Sequence, residues 1–170
     1  MIKEEKFIVP KFTLEYLRTV LHYDPNSGVF TWLKSHHKSK VGKTAGYVAG
    51  GYLRITVATE KTQAHRLAWF YMKGEWPEGI LDHRDNNPLN NVFKNLRRAT
   101  RSQNKMNSRP MSDHLKGVTR YTRDPTRWCA YICKDYKKRY LGIFDTEEAA
   151  HERYAEEAER VFGPEWARMQ

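Results

Sequence analysis

"LDHRDNNPLNNVFKNLRRATRSQN", residues 81–104, sets six asparagines (86, 87, 90, 91, 95 and 104) behind an Asp82-His83 pair, among five basic side chains. Asparagine suits turns because its short amide bonds back to the backbone and tolerates left-handed conformations. A polar loop accounts for that composition but not for an acid and a histidine at its mouth. The sharper reading is that some of these amides serve chemistry. Local patterning orders the stretch. Ile80-Leu81 is apolar and runs into Asp82-His83, so the pair sits near the end of a strand. "RDNNPLNNVFKN" is rich in turn formers, and "LRRAT" is extended again. Thr100 and Gln103 have capping-box spacing. Asn104 then falls in the first full turn of a helix, with Asn107 on nearly the same face. The predicted order is strand, loop, strand, helix.

The 170 residues allow one ordinary domain or two small ones. A hydrophobic fraction of 39% with 13% aromatics suffices for packed cores and argues against wholesale disorder. No apolar run approaches the roughly 20 residues of a membrane span, and "MIKEEKFIVPKF" lacks the pattern of a signal peptide. A cytoplasmic protein with no membrane partner is expected. Cys129 and Cys133 are too few for a disulfide framework or a four-ligand structural zinc, and read as packing or surface residues in a reducing compartment.

The net charge of +10 is segregated along the chain. Residues 94–109 hold six basic side chains and no acid, and 116–144 hold eight basic and two acidic. Residues 145–170 reverse the sign, with three basic and eight acidic. Charge kept only for solubility would not separate in this way. A polyanion partner is implied, nucleic acid first.

Around the deciding stretch, "TLEYLRTVL" (13–21) predicts a short helix capped by Thr13. "YDPNSGVFTW" turns into a strand, and "AGYVAGGYLRITV" with "KTQAHRLAWFYMKG" supplies a further strand pair. Gly50-Gly51 and Thr59-Glu60-Lys61 are the turns. Helical periodicity takes over from Ala64 to Lys73 and stops at Gly74. After a linker near 108–115, "GVTRY", "RWCAYICK" and "KRYLGIF" read as three strands joined by "TRDPT" and "DYK". "DTEEAAHERYAEEAERVFG" reads as a helix with Asp145 and Glu148 in a capping pattern. Its apolar stripe is Ala150, Tyr154, Ala158 and Val161, and Gly163 closes it.

Asp82-His83, Asn95 twelve residues on and Asn104 nine beyond it resemble the HNH endonuclease motif. The likeness is to the branch with Asn at the second and third positions, found in phage and intron-encoded homing endonucleases. "DHRDNN", "NLRRAT" and "QNKMN", and upstream "YDPNSGVFTW", "AHRLAW" and "GEWP", carry it across residues 13–107. The resemblance implies a ββα-metal (His-Me finger) core at about 78–108, inside a nuclease domain of residues 1–110. It implies His83 as general base, Asp82 and Asn104 as oxygen ligands of one Mg²⁺ or Mn²⁺ per active site, and Asn95 as a brace that aims His83. These roles suit the residue types. Histidine titrates near neutrality, and hard oxygen donors suit hard cations. Neighbours in a regular strand face opposite sides, so Asp82 and His83 share a site only where the strand ends or bends. Asn86, Asn87, Asn90 and Asn91 read as turn formers around Pro88, Asp85 as a turn residue and Asn107 as structural. Arg66, Arg97, Arg98, Arg101 and Lys105 are candidate phosphate contacts, which position DNA without reading it. His65 is either packed or a further phosphate contact.

"KGVTRY", "RWCAYIC" and "KRYLGIFDTEEAAHERYAEEAERVFG" are similar to the plant ethylene-response-factor type of DNA-binding domain, over 116–163 within a domain of residues 111–170. That family lays a three-stranded antiparallel sheet, backed by one helix, in the major groove. Strand alternation turns Trp128, Ala130 and Ile132 toward the helix and Arg127, Cys129, Tyr131 and Cys133 outward. With Thr119, Tyr121, Lys138 and Tyr140 they form the expected DNA face. Thr119, Tyr121 and Cys133 stand where the plant pattern has arginines, so the plant target sequence does not carry over. The whole predicts an α+β enzyme that hydrolyses phosphodiesters in double-stranded DNA, as a monomer or weak dimer. The alternative is a non-cleaving DNA-binding regulator that keeps the nuclease fold.

Overall fold

Thr13 opens the first helix: its side chain accepts a hydrogen bond from the Tyr16 backbone N–H at 3.1 Å and caps α1 (Leu14–Val20). The computed structural model describes residues 10–35, 37–108 and 113–166. The chain is a mixed α/β protein of several small sheets, divided into two units, Met1–Arg98 and Ala99–Gln170.

In the first unit α1 runs directly into β1 (Leu21–Asp24), which pairs antiparallel with β2 (Val29–Trp32). An antiparallel meander follows: β3 (Tyr47–Ala49), β4 (Tyr52–Val57) and β5 (Glu60–Gln63). Gly50 and Gly51 turn between β3 and β4 with positive φ, as expected. The next turn is tighter than the sequence suggested. Ala58 takes φ 49°, so Glu60 and Lys61 already belong to β5. α2 (Ala64–Lys73) ends on Gly74 in the left-handed region. Leu17, Leu21, Phe30, Ala45, Ile55, Val57, Ala64 and Leu67 are fully buried together. Beyond α2, β6 (Ile80–His83) and β7 (Leu96–Ala99) form a two-stranded sheet, with Leu81 and Leu96 buried.

The second unit holds α3 (Arg101–Asn107), β8 (Val118–Arg120), β9 (Trp128–Lys134), β10 (Lys137–Phe144) and α4 (Glu147–Phe162). Its sheet is antiparallel in the order β10-β9-β8. Asp135 and Tyr136, both at positive φ, make the two-residue turn that matches strand twist. Trp128, Ala130 and Ile132 pack with Ala150, Tyr154 and Ala158 of α4, and Met106 of α3 joins them. Ser102 Oγ donates to Asp135 Oδ1 at 2.9 Å. So α3, expected to close the first domain, packs within the second unit. The expected boundary at 110 lies outside the described residues.

Two local expectations change. The N-cap of α4 is Thr146, which accepts from the Ala149 N–H at 3.1 Å, because Asp145 instead pairs with Arg127 Nε at 3.0 Å. Cys129 is not exposed: it is 1% accessible on the face predicted to be outward. The Tyr140 ring lies 5.4 Å from that of Tyr131, so tyrosines tile the outer surface. Glu157 is buried among the arginines 139, 153 and 160.

Candidate active site

β6 delivers Asp82 and His83 to one place by ending there. Asp82 is 5% exposed and His83 6%. The chain turns at once, with the Asn86 N–H donating to the His83 carbonyl at 3.0 Å and the Arg84 N–H to the Asn95 carbonyl at 2.8 Å. Asp82 Oδ2 accepts from Arg97 Nε on β7 at 2.8 Å, which pins the carboxylate's orientation. The His83 ring lies edge-on to His65 of α2, 5.0 Å between centroids, and 6.4 Å from the Tyr52 ring of β4.

Burial lowers the His83 pKa; the neighbouring Asn91 side chain and the charges of Asp85 and Asp82 oppose that shift. The neutral ring is the form that accepts a proton. His65 is driven further, down to about 3, by burial and then by His83 and Arg66. It is a neutral packing partner at physiological pH, which settles the choice left open for it. Because its folded pKa lies below the ordinary 6.5, His65 takes up a proton on unfolding in acid. Its contribution to stability is complete above about pH 6.5 and shrinks as pH falls toward 3, by up to about 1.4 kcal/mol per pH unit. Urea melts at pH 7.5, 6 and 5 should show that loss, and His65→Gln should flatten the slope.

The asparagine loop is organised on Asp85. Asn95 Nδ2 donates to Asp85 Oδ1 at 2.9 Å, and the Asp85 N–H returns to Asn95 Oδ1 at 3.1 Å. Asn90 Nδ2 donates to Asp85 Oδ2 at 2.6 Å, and the Asn87 N–H to Oδ1 at 2.9 Å. Desolvation pushes the Asp85 pKa up, but these bonds from residues 87, 90 and 95 outweigh it and hold the carboxyl below the usual range. Asn86 takes φ 57°, and the Asn87 and Asn90 side chains accept from the backbone two residues on. Asn91 differs from its neighbours. It is buried and accompanies His83, a role its sequence context did not distinguish from that of Asn90.

The "YDPNSG" turn braces this loop from the other side. Tyr23 Oη donates to the Asn91 carbonyl at 2.7 Å, and the Phe93 N–H donates to the Pro25 carbonyl at 3.1 Å. Gly28, at φ 73°, lies so close that a Cβ there would meet the Val92 nitrogen at 2.4 Å. Gly28→Ala should therefore destabilise the first unit by about 3 kcal/mol, through overpacking against backbone and a strained φ. A thermal melt with parallel cleavage assays checks it; both should fall, since the displaced segment carries Asn91.

The predicted cations divide. Arg66 and Arg97 are buried, which corrects their assignment to DNA phosphates. Arg66 donates to the carbonyls of Pro77 at 2.6 Å and Gly79 at 3.1 Å, with its guanidinium 5.2 Å from the Trp76 ring. It clamps "WPEG" onto α2 and so sets the entry into β6. Arg97 serves Asp82. Arg98 is exposed over Trp69 and paired with Glu75 at 2.7 Å. In the second unit Arg101, Asn104 and Lys105 are exposed on α3, while Asn107 is buried. α3 keeps the expected capping box: Gln103 N–H to Thr100 Oγ1 at 3.2 Å, and Thr100 N–H to Gln103 Oε1 at 2.8 Å. On the outer face of the β8–β10 sheet, Thr119, Lys138 and Tyr140 are exposed and Tyr121 and Tyr131 half-buried, with Lys138 Nζ 3.7 Å from the Tyr131 ring. Arg127 borders that face, tied to Asp145.

Among the described residues no three His, Cys, Asp or Glu side chains form a metal cage. In the first unit Asp82 offers a carboxylate, and in the second the exposed Asn104 offers an amide oxygen. Each is a hard oxygen donor of the kind a magnesium-type ion takes, since that ion accepts one or two carboxylates and completes its shell with water and substrate phosphate. No helix among the described residues is long and apolar enough to cross a membrane.

A family model for HNH endonucleases matches residues 62–106, from the end of β5 through α3. An uncharacterized HNH endonuclease of Acanthamoeba polyphaga mimivirus is 30% identical over 138 residues, 80% of this chain and 72% of that relative. No solved structure matches the chain. The similarity runs far beyond the motif and takes in the scaffold that buries Asp82 and His83. The chain belongs to the HNH endonuclease family and is a DNA nuclease.

Proposed function

We propose that this nuclease is a metal-dependent, homing-type enzyme of the ββα-metal class, in which His83 is the general base and Asp82 and Asn104 hold one Mg²⁺ or Mn²⁺. The observation that carries this reading is the Asp82-His83 pair, buried where β6 ends, with the loop behind it closed on Asn95. When bound, the ion would supply charge stabilisation at the scissile phosphate and the departing 3′ oxygen. His83 takes a proton from the attacking water. Arg97 fixes the Asp82 carboxylate, and Asn95 fixes the loop that follows His83. The outer face of the β8–β10 sheet, with Thr119, Tyr121, Tyr131, Lys138 and Tyr140 and Arg127 at its border, serves as a DNA-reading module of the ethylene-response-factor type. Arg98, Arg101 and Lys105 contribute phosphate contacts.

The test is incubation of the full chain with long duplex DNA, with Mg²⁺, with Mn²⁺ and with a chelator. Cleavage that needs either ion and stops with the chelator supports the reading. Binding without cleavage under both ions overturns it in favour of a regulator that only binds.

A further inference from the structure

A groove of 810 Å³ on the first unit is used by none of this. Its lining includes Lys34, Lys40 and Lys43 and the rings of Tyr16, Trp32 and Tyr47, with no acidic side chain among the described residues that line it. The chain builds it by looping out of β2 and returning. The Gly42 N–H donates to the Trp32 carbonyl at 2.8 Å, the Trp32 N–H to the Lys43 carbonyl at 3.0 Å, and the Ala45 N–H to the Phe30 carbonyl at 2.7 Å. Those bonds bring Lys34, at the departure, and Lys43, at the return, to one opening. Trp32 is anchored against the core, whereas Tyr47 is 46% exposed. All three lysines are exposed.

Two features of this lining select a ligand class. Lysines without a lining carboxylate attract a polyanion. Aromatic rings left in the opening gain by stacking on flat, unpaired bases, each worth about a tenfold change in affinity or more. A duplex would satisfy the lysines, but its bases are stacked inside and offer no faces to the rings. We infer that the groove holds a short unpaired stretch of DNA, with phosphates on Lys34, Lys40 and Lys43 and a base against Tyr47 beside Trp32. The size agrees, since sites for compact organic ligands span roughly 300–1,000 Å³.

The experiment measures binding by the full chain in chelator, so that cleavage, and with it the role of His83, does not enter. The probes are a labelled oligothymidylate of about a dozen nucleotides and a duplex of equal length. A Lys34→Gln, Lys40→Gln, Lys43→Gln triple variant should bind the single strand at least about tenfold more weakly. The slope of log affinity against log salt should fall by about 2, at roughly 0.7 per lost contact. Tyr47→Ala should weaken single-strand binding by about tenfold, Tyr47→Phe should restore it, and duplex binding should move less than about twofold with either. These side chains are exposed, so melting temperatures should stay near wild type. A Tyr47→Ala protein that binds single strands as tightly as wild type would overturn the inference. So would equal losses for single strand and duplex in the triple variant, or stronger competition by unpaired RNA than by unpaired DNA.

Discussion

His83→Ala should lower metal-dependent DNA cleavage by about 10²–10⁴-fold while DNA binding stays within a few-fold of wild type. The size follows from what a positioned base contributes to proton transfer. The separation from binding follows from burial: His83 is 6% exposed, and the chain's many exposed cations lie elsewhere. Deleting a buried ring next to His65 also leaves a void, so a melt must accompany the assay. His83→Gln, which fills more of that space, should be as inactive as the alanine variant yet better folded. Added imidazole should recover part of the activity of His83→Ala, because the void beside His65 and Tyr52 is the size of the missing ring. A purely structural histidine would give the opposite pattern, with glutamine restoring activity as it restores stability.

What could be read from the sequence was what is decided locally. The Thr13 cap, the Thr100–Gln103 box and the Gly74 stop each depend on a few adjacent residues, and each occurs where the letters put it; the "DYK" turn is one residue shorter, with Lys137 already in β10. Asp145 shows the limit: a better cap than threonine by type, it is drawn off by Arg127, which lies just before β9. Burial of charge was the larger gap. Arg66 and Arg97 stand in basic text beside a DNA nuclease motif and look like phosphate ligands. Nothing nearby in sequence announces that carbonyls at Pro77 and Gly79 await one and Asp82 the other. The same holds for Asn91 among the loop asparagines, since only the packing of Tyr23 and His83 sets it apart from Asn90. Gly28 has a turn signature, but its tight approach to Val92 belongs to tertiary contact and leaves no mark in the letters.

Arg97→Met should cost about 3–5 kcal/mol of stability. Arg97 and Asp82 have side chains only 6% exposed and lie 2.8 Å apart, so removing the cation leaves a largely buried carboxylate without this counter-ion. The penalty is that of the stranded charge rather than of the bond itself. Asp82→Leu combined with Arg97→Met should therefore recover most of the loss, because apolar pairs of similar volume often match a buried ion pair. Denaturant melts of the two single variants and the double give the coupling directly. Activity should part company with stability in this series. The double variant is expected to fold and to cleave nothing, since it has lost the carboxylate offered to the ion. Arg97→Lys tests the same pair more gently: it keeps the charge and loses the planar guanidinium geometry that orients Oδ2. A folded Arg97→Lys protein with reduced cleavage, partly recovered at higher metal concentration, would assign Arg97 to the orientation of Asp82. Full activity at low metal would leave Arg97 as a counter-ion alone.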